Sequence, residues 1–250
     1  MSLSFDEFYV FAERATDAVS ASTLSGVEHS DASLKDDKSV VTKTDFSIEK
    51  KIRNQIRESY PTHNISGEEY EFTNNNSEYT WTIDPIDGTV SYLHGVPLFG
   101  ILLGLSFNEI PLYGSIRLPM LRNDFVAGDS SVCLINGQQA RAKEFTSFED
   151  CLMLTTDIER VRNSRYSMIY DGMIEKGSLS RTWGDCFGYY LLCSGKADLM
   201  MDLDLKDCDI LPLIPIIKGA GAKIIKLDGT HNNIVACVAE LADTVESLMP

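Results

Sequence analysis

Trp81-Thr82-Ile83-Asp84-Pro85-Ile86-Asp87-Gly88, followed by Thr89, is the stretch on which the reading of this chain turns. Residues 80–84 have the aromatic and β-branched character of a strand, which runs straight into a tight turn. A proline of fixed φ holds Asp84 and Asp87 three positions apart. Gly88 lets the backbone approach a ligand, with its own amide and that of Thr89 free to face it. Hard divalent cations take carboxylate oxygens, and a phosphate takes cations together with oriented N–H groups. One turn offers both, so it reads as a metal-dependent phosphate site. An isolated pair of acids at this spacing is usually just solvated. The strand before it and the Gly-Thr after it set this pair apart.

The whole chain is consistent with that reading. Its 250 residues suit one large domain or two small ones, and 44% hydrophobic content is ample for a core. A formal charge of −15 argues against nucleic acid or an anionic membrane as partner. An acidic protein that handles a phosphate ester needs local positive charge, which a bound metal would supply. The six cysteines form no C-x-x-C pair and no zinc-spaced cluster, as suits free thiols in a reducing cytosol. The N-terminal MSLSFDEFYVF has no basic n-region, so no signal peptide is expected. The longest apolar run, Val96 to Phe107, is too short and glycine-interrupted to span a bilayer. The expectation is a soluble, cytoplasmic protein.

In chain order, Phe5, Phe8, Ala12, Ala15 and Val19 predict an amphipathic helix. Glu28–Lys38 reads as a loop. Val40–Asp45 leads into a second helix with Ile48, Ile52 and Ile56 on one face, Asp45 at the N-cap position and Pro61 beyond its end. Asn64–Gly67 reads as a strand edge delivering Glu68 and Glu69. Phe99–Phe107 and Ile110–Leu118 predict a hairpin, and Phe125–Ala127 and Val132–Ile135 further strands before an Asn136-Gly137 turn. The first half is therefore expected to be helices on an antiparallel sheet.

The second half alternates strands and helices, the pattern of α/β organisation. Its strands are Leu152–Leu154, Leu179–Arg181, Ala197–Met201, Lys223–Leu227 and Ile234–Val238. Its helices are Glu159–Lys176, Gly184–Ser194, Ile210–Lys218 and Ala239–Leu248. Gly195 and Gly219 read as helix C-caps, and Pro215 should kink or shorten its helix. The boundary falls within Gln138–Ser147, dividing the chain into an N-terminal α+β half (1–140) and a C-terminal α/β half (141–250).

Five segments together resemble the inositol monophosphatase superfamily of Mg2+-dependent, lithium-sensitive phosphatases. They are VTKTD (41–45), Gly67-Glu68-Glu69, DPIDGT (84–89), GDCFGYYLLCSGKADLMMD (184–202) and DCDILPLIPIIKGAGA (207–222). The resemblance covers nearly the whole chain and implies a layered α/β/α/β/α sandwich, with the site between the halves, in a homodimer. It implies Glu68, Asp84, Asp87 and the Ile86 carbonyl as metal ligands, completed by Asp209 from the second half. Read alone, Asp209 is equally a helix N-cap and Glu68 a strand-end acid. Two Mg2+, with a third joining alongside substrate, would offset the carboxylates.

The implied reaction is hydrolysis of a small phosphate monoester by activated water, without a covalent intermediate. Asp45 and Thr89 match the pair that orients and deprotonates that water, acting with Glu68. Asp87 and the Gly88 and Thr89 amides would contact the phosphate. Lys35 is either a phosphate contact or a solvated lysine. Asp202 stands where relatives of this type carry a longer Glu on substrate hydroxyls. The Gly184-Asp185-Cys186 segment resembles the histidinol-phosphatase branch, where Asp185 beside Cys186 would suit a cationic substrate; the alternative is a helix N-cap. The substrate is thus inositol 1-phosphate or L-histidinol phosphate.

Cys208-Asp209 departs from the usual Trp-Asp, removing a ring beside the last ligand. Arg181 and Trp183 line the pocket mouth or serve structure, and His29, His63, His94 and His231 read as surface or loop residues. Ile86–Thr89 also resembles haloacid-dehalogenase phosphatases, but their D-x-D pair is absent and more than 80 residues precede the motif. A regulatory member that has lost catalysis should lack ligands, and none of the implied ones is missing.

Overall fold

Phe8, Phe11, Ala12, Ala15 and Val19 are all buried along one face of α1 (Phe5–Val27), as their spacing predicts. A computed structural model describes residues 3–27, 32–34 and 40–250. Lys35 and His29 lie outside the described residues. Within the segment expected to be loop, β1 (Ala32–Leu34) pairs antiparallel with β2 (Val40–Thr42). The next helix, α2 (Lys43–Ser59), buries Ile48, Ile52 and Ile56. Its N-cap is Thr42, not Asp45: Asp45 occupies N3 and accepts from the Thr42 amide at 2.8 Å.

A seven-stranded sheet follows, in the order β3 (Asn64–Gly67), β4 (Tyr79–Asp87), β5 (Gly100–Phe107), β6 (Ile110–Leu118), β7 (Asp124–Gly128), β8 (Cys133–Ile135) and β9 (Gln138–Ala140). A short α3 (Thr89–Leu93) intervenes after β4. The expected antiparallel sheet is antiparallel from β4 onward, but β3 runs parallel to β4. Asn108 and Glu109 both take positive φ, 47° and 66°, as a two-residue hairpin turn requires.

The chain then enters a second sheet through β10 (Leu152–Thr155), α4 (Ile158–Arg162), α5 (Ser167–Glu175), β11 (Leu179–Arg181), α6 (Asp185–Cys193) and β12 (Leu199–Asp202). It continues through α7 (Asp207–Ile210), α8 (Leu213–Gly219), β13 (Lys223–Lys226), β14 (Ile234–Cys237) and α9 (Ala242–Ser247). The sheet order is β11-β10-β12-β14-β13, with β10, β11 and β12 parallel.

Three expected helices are each two, the last a 3-10 turn (Ala239–Leu241) that runs into α9. Residues 159–176 break between α4 and α5, and 210–218 breaks at Pro212, which has no N–H with which to continue α7. Pro215 then sits in the first turn of α8, where a missing donor is tolerated, so it does not kink the helix. Gly195 takes the left-handed φ of 73° after α6; after α8 that role belongs to Gly221 (φ 84°), not Gly219.

Alternation along β4 and β5 divides the interior. Trp81, Ile83, Ile101, Leu103 and Leu105 face α1 and α2, whereas Leu102 and Ile116 face α6 and α8. Those two helices also cover the second sheet, and α5 and α9 close its far side. The result is the expected α/β/α/β/α sandwich.

Gly104, Gly114 and Gly128 are register partners across β5, β6 and β7, forming a stripe without side chains. Pro212 and α8 rest on it. A Cβ on Gly104 would lie 3.1 Å from Pro212 Cα, and one on Gly128 2.7 Å from Ile216 Cα. At Gly114 it would run into the Pro212 carbonyl. This close approach sets the end of α7 against the first sheet.

His63 is not a simple surface residue. Its ring stacks on Tyr60 at 5.2 Å and Tyr79 at 4.8 Å, and its Nδ1 accepts from the Trp81 indole at 3.1 Å. Burial lowers its pKa, because desolvation disfavours the charged ring.

Two outcomes follow. Gly114→Ala should lose about 1–3 kcal/mol by overpacking against a backbone that cannot yield, read by urea denaturation. Because the pKa of His63 is depressed on folding, its contribution is complete above the ordinary histidine range and lost as pH falls below it. His63→Phe should therefore lose about 1 kcal/mol at pH 7 and show a flatter stability profile between about pH 7 and 5. An unchanged profile in the variant would reject the assignment.

Candidate active site

A β-bulge makes the acidic turn. Asp84 pairs with Leu102 and Asp87 with Gly100, so β4 carries an extra residue between them. Strict alternation would send residues three apart to opposite faces; the bulge returns both to one side. Gly88 follows with φ 89°, its Cα against the Leu98 carbonyl, where any Cβ would collide. Carboxylate oxygens of Asp84, Asp87 and Asp209 lie within 4.8 Å of one another. Oxygens of Glu68 and Asp84 and the Cys208 sulfur form a second such group.

Each acid is held. Asp84, 2% exposed, accepts from the Ile86 amide at 3.0 Å. Asp87 accepts from the Cys186 amide at 2.5 Å, a bond from the second half to the first. Asp209 accepts from the Lys206 amide at 2.8 Å and from the Cys208 thiol at 3.3 Å. The N-cap of α7 is Lys206, not Asp209, which sits at N3 and binds back to the Lys206 amide. Lys206 Nζ lies 3.2 Å from Glu68. Asp45, 1% exposed, receives the Thr42 amide and hydroxyl on Oδ2, while Oδ1 has no partner among the described residues. The Thr89 hydroxyl donates to the Ile86 carbonyl at 3.0 Å.

The electrostatics are those of a site built for cations. Burial, then the charges of Glu68, Asp87, Asp209 and Asp45, push the Asp84 pKa well up. Burial, then Asp185 and Asp209, do the same to Asp87. Asp45 is also raised, mainly by burial. Four carboxylates with an unpaired buried oxygen beside them are a donor set that fits hard divalent cations.

These residues open into a cavity of about 770 Å3 between the sheets. Its other wall comes from the C-terminal ends of the three parallel strands: Thr156 and Asp157 after β10, Thr182 after β11, and Leu203 and Asp204 after β12. Thr156, Asp157, Arg160, Thr182, Tyr189, Asp204 and Lys206 were not singled out in the sequence. The rule that ligands gather at the carboxyl ends of parallel strands could have located most of them. Arg181 and Trp183 are exposed on either side of Thr182, and the Arg181 guanidinium turns back to the Ser180 carbonyl.

Asp202 and Asp185 meet in this wall. Asp202 is 3% exposed and accepts from the Thr156 amide at 3.2 Å. Its Oδ2 faces the buried Tyr189 hydroxyl, whose pKa burial and the Asp202 carboxylate push up. Asp185 takes a strained φ of 50°, and its Oδ2 rests against Gly88. It does not cap α6; the N-cap is Gly184, and the Asp185 amide donates to Thr156 Oγ1 at 2.8 Å. Burial, then Asp202 and Asp209, raise the Asp185 pKa to about 7, and burial raises Asp202 to about 6. Cys186 is fully buried and turns its amide and thiol to Asp87, away from the cavity.

Residues 5–247 match the sequence profile of the inositol monophosphatase family. The chain belongs to that family. It is 32% identical over 192 residues to the chloroplastic bifunctional phosphatase IMPL2 of Arabidopsis thaliana, spanning 76% of this chain but 55% of that protein. It is 31% identical over 187 residues to the histidinol-phosphatase of Chlorobaculum parvum, covering 75% and 72% of the two. Among solved structures, the SuhB protein of Bartonella henselae superposes with a TM-score of 0.87 at 21% identity, over 96% of both chains. An inositol monophosphatase of Thermotoga maritima superposes at 0.85 with 24% identity, over 96% and 95%. These likenesses carry the fold. Family and named relatives together make the chain a phosphatase of phosphate monoesters. No helix among the described residues is long and apolar enough to cross a membrane.

Asp87→Asn should remove one of the mutually repelling charges, raise the melting temperature of metal-free protein and cancel any Mg2+-induced rise. A Mg2+-induced rise equal to wild type would sink the ligand role of Asp87.

Proposed function

We propose that the protein is a Mg2+-dependent phosphomonoesterase of small soluble esters, with a preference for L-histidinol phosphate over inositol 1-phosphate. The observation carrying the reaction class is the trio of carboxylates on Asp84, Asp87 and Asp209 with oxygens within 4.8 Å. Glu68, Asp84, Asp87, Asp209 and the Ile86 carbonyl would hold two or three Mg2+. Bound there, the ions would supply Lewis acidity, easing deprotonation of water and offsetting charge on the ester oxygens.

The chain's own residues do the rest. Asp45 offers its unpaired Oδ1 to the attacking water, and its raised pKa suits a proton acceptor. Thr89, anchored to the Ile86 carbonyl, orients the same water. The Gly88 and Thr89 amides at the start of α3 hold phosphate oxygens. Water attacks phosphorus in line with the departing alkoxide, with no covalent enzyme intermediate. Homodimeric assembly and a cytoplasmic setting complete the reading; six buried free thiols support the latter.

Asp185 and Asp202 support the substrate preference. Burial and the neighbouring Asp202 charge disfavour the ionised Asp185 carboxylate, and an ammonium or imidazolium group beside it would offset both by a charge-assisted hydrogen bond. A polyol hydroxyl would recover less. Asp185→Asn keeps a residue that tolerates positive φ and removes the charge. It should lower kcat/KM for L-histidinol phosphate by about 10–100-fold and change that for inositol 1-phosphate little. A substrate preference unaffected by the mutation would reject the role of Asp185. Wild-type protein that hydrolyses no phosphomonoester with Mg2+ would reject the enzyme reading itself.

A further inference from the structure

Glu49 is a carboxylate with 0% exposure, and its ion-pair partner Arg53 is 3% exposed. Such a pair is rarely kept for stability alone, because desolvation offsets most of its attraction and apolar replacements are often neutral. Its contacts point to another role. Glu49 Oε1 accepts from Arg53 Nε at 2.6 Å, and Oε2 accepts from the Glu69 amide at 2.7 Å. The same carboxylate packs against Gly67, where a Cβ would collide with it. Both neighbours of Glu68 are therefore fixed by one side chain. Arg53 extends the grip, donating to the Tyr70 carbonyl at 3.0 Å and to Thr73 Oγ1 at 3.2 Å.

The register of α2 gives this contact its meaning. Asp45, Glu49 and Arg53 stand four apart, on one stripe of the helix beside the apolar stripe of Ile48, Ile52 and Ile56. One rigid element thus presents Asp45 at its N-terminus and, one turn later, clamps the segment that carries Glu68. β3 ends at Gly67, so the strand ladder does not hold Glu68 itself.

Resting on the metal-dependent reading above, we propose that Glu49 is a positioning residue. Through the Glu69 amide and Gly67 it fixes the Glu68 carboxylate relative to Asp45 and so sets affinity for the divalent cation. Loss of partners that orient a metal ligand typically costs 10–100-fold in affinity.

The test is the double variant Glu49→Leu with Arg53→Met, which keeps volume and leaves no charge unpaired. Mg2+ binding would be measured by calorimetry, beside thermal stability and kinetics on p-nitrophenyl phosphate. Expected is a melting temperature close to wild type with Mg2+ affinity weaker by about tenfold or more. The Mg2+ needed for half-maximal activity should rise in step, with KM for substrate unchanged. Glu49→Gln, which keeps shape and one acceptor but loses the charge, should shift Mg2+ affinity in the same direction and guards against a double variant that fails to fold. Wild-type affinity in either folded variant would overturn the proposal while leaving the metal-dependent reading intact. Wild-type protein that binds no Mg2+ would overturn both.

Discussion

Carboxylates crowded together and largely buried are the constraint on which this structure depends. Oxygens of Asp84, Asp87 and Asp209 lie within 4.8 Å of one another, with Glu68 and Asp45 contributing further negative charge. Like charges so placed raise each other's pKa and cost folding energy unless a counter-charge arrives. The fold accepts that cost by rigidity elsewhere. A bulge aims two acids the same way, a capping box holds Asp45, an amide from α6 holds Asp87, and a glycine stripe seats the segment that brings Asp209.

Much of this could be read in the sequence, for definite physical reasons. Helix α1 and the hairpins announce themselves because apolar period and turn residues are local properties. The acids were visible because their types and spacing are the chemistry. What escaped depends on contacts between distant segments. The Gly104–Gly114–Gly128 stripe has no meaning until Pro212 lies upon it. Thr42 takes the cap from Asp45 because Asp45 is drawn inward, and the break at Pro212 separates what periodicity joins. His63 has an ordinary loop sequence and acquires its role only by stacking between Tyr60 and Tyr79. Tyr189 and Thr156 look like core and strand-end residues until the cavity between the sheets exists.

The charge distribution carries a tension. A protein of formal charge −15 must admit an anionic ester, and its cavity wall adds Asp157, Asp185, Asp202 and Asp204 to the acids of the turn. Only Arg160 and Lys206 bring positive charge to that wall among the described residues. Unaided, the field would repel a phosphate. Cations at the carboxylates would invert the sign where the phosphate binds and leave it negative toward Asp202. Such a gradient would orient a substrate that is anionic at one end and cationic at the other.

The bond from the Cys186 amide to Asp87 joins residues 99 positions apart in the chain. Asp209 is farther still from the turn it completes. During synthesis the turn therefore leaves the ribosome long before its partners exist, as an acidic loop unable to retain a cation strongly. A site that needs Asp209 would be complete only once the second sheet has closed over α6 and α8. Non-local closure of this kind is slow, so appearance of the ion site would serve as a clock for the last folding step.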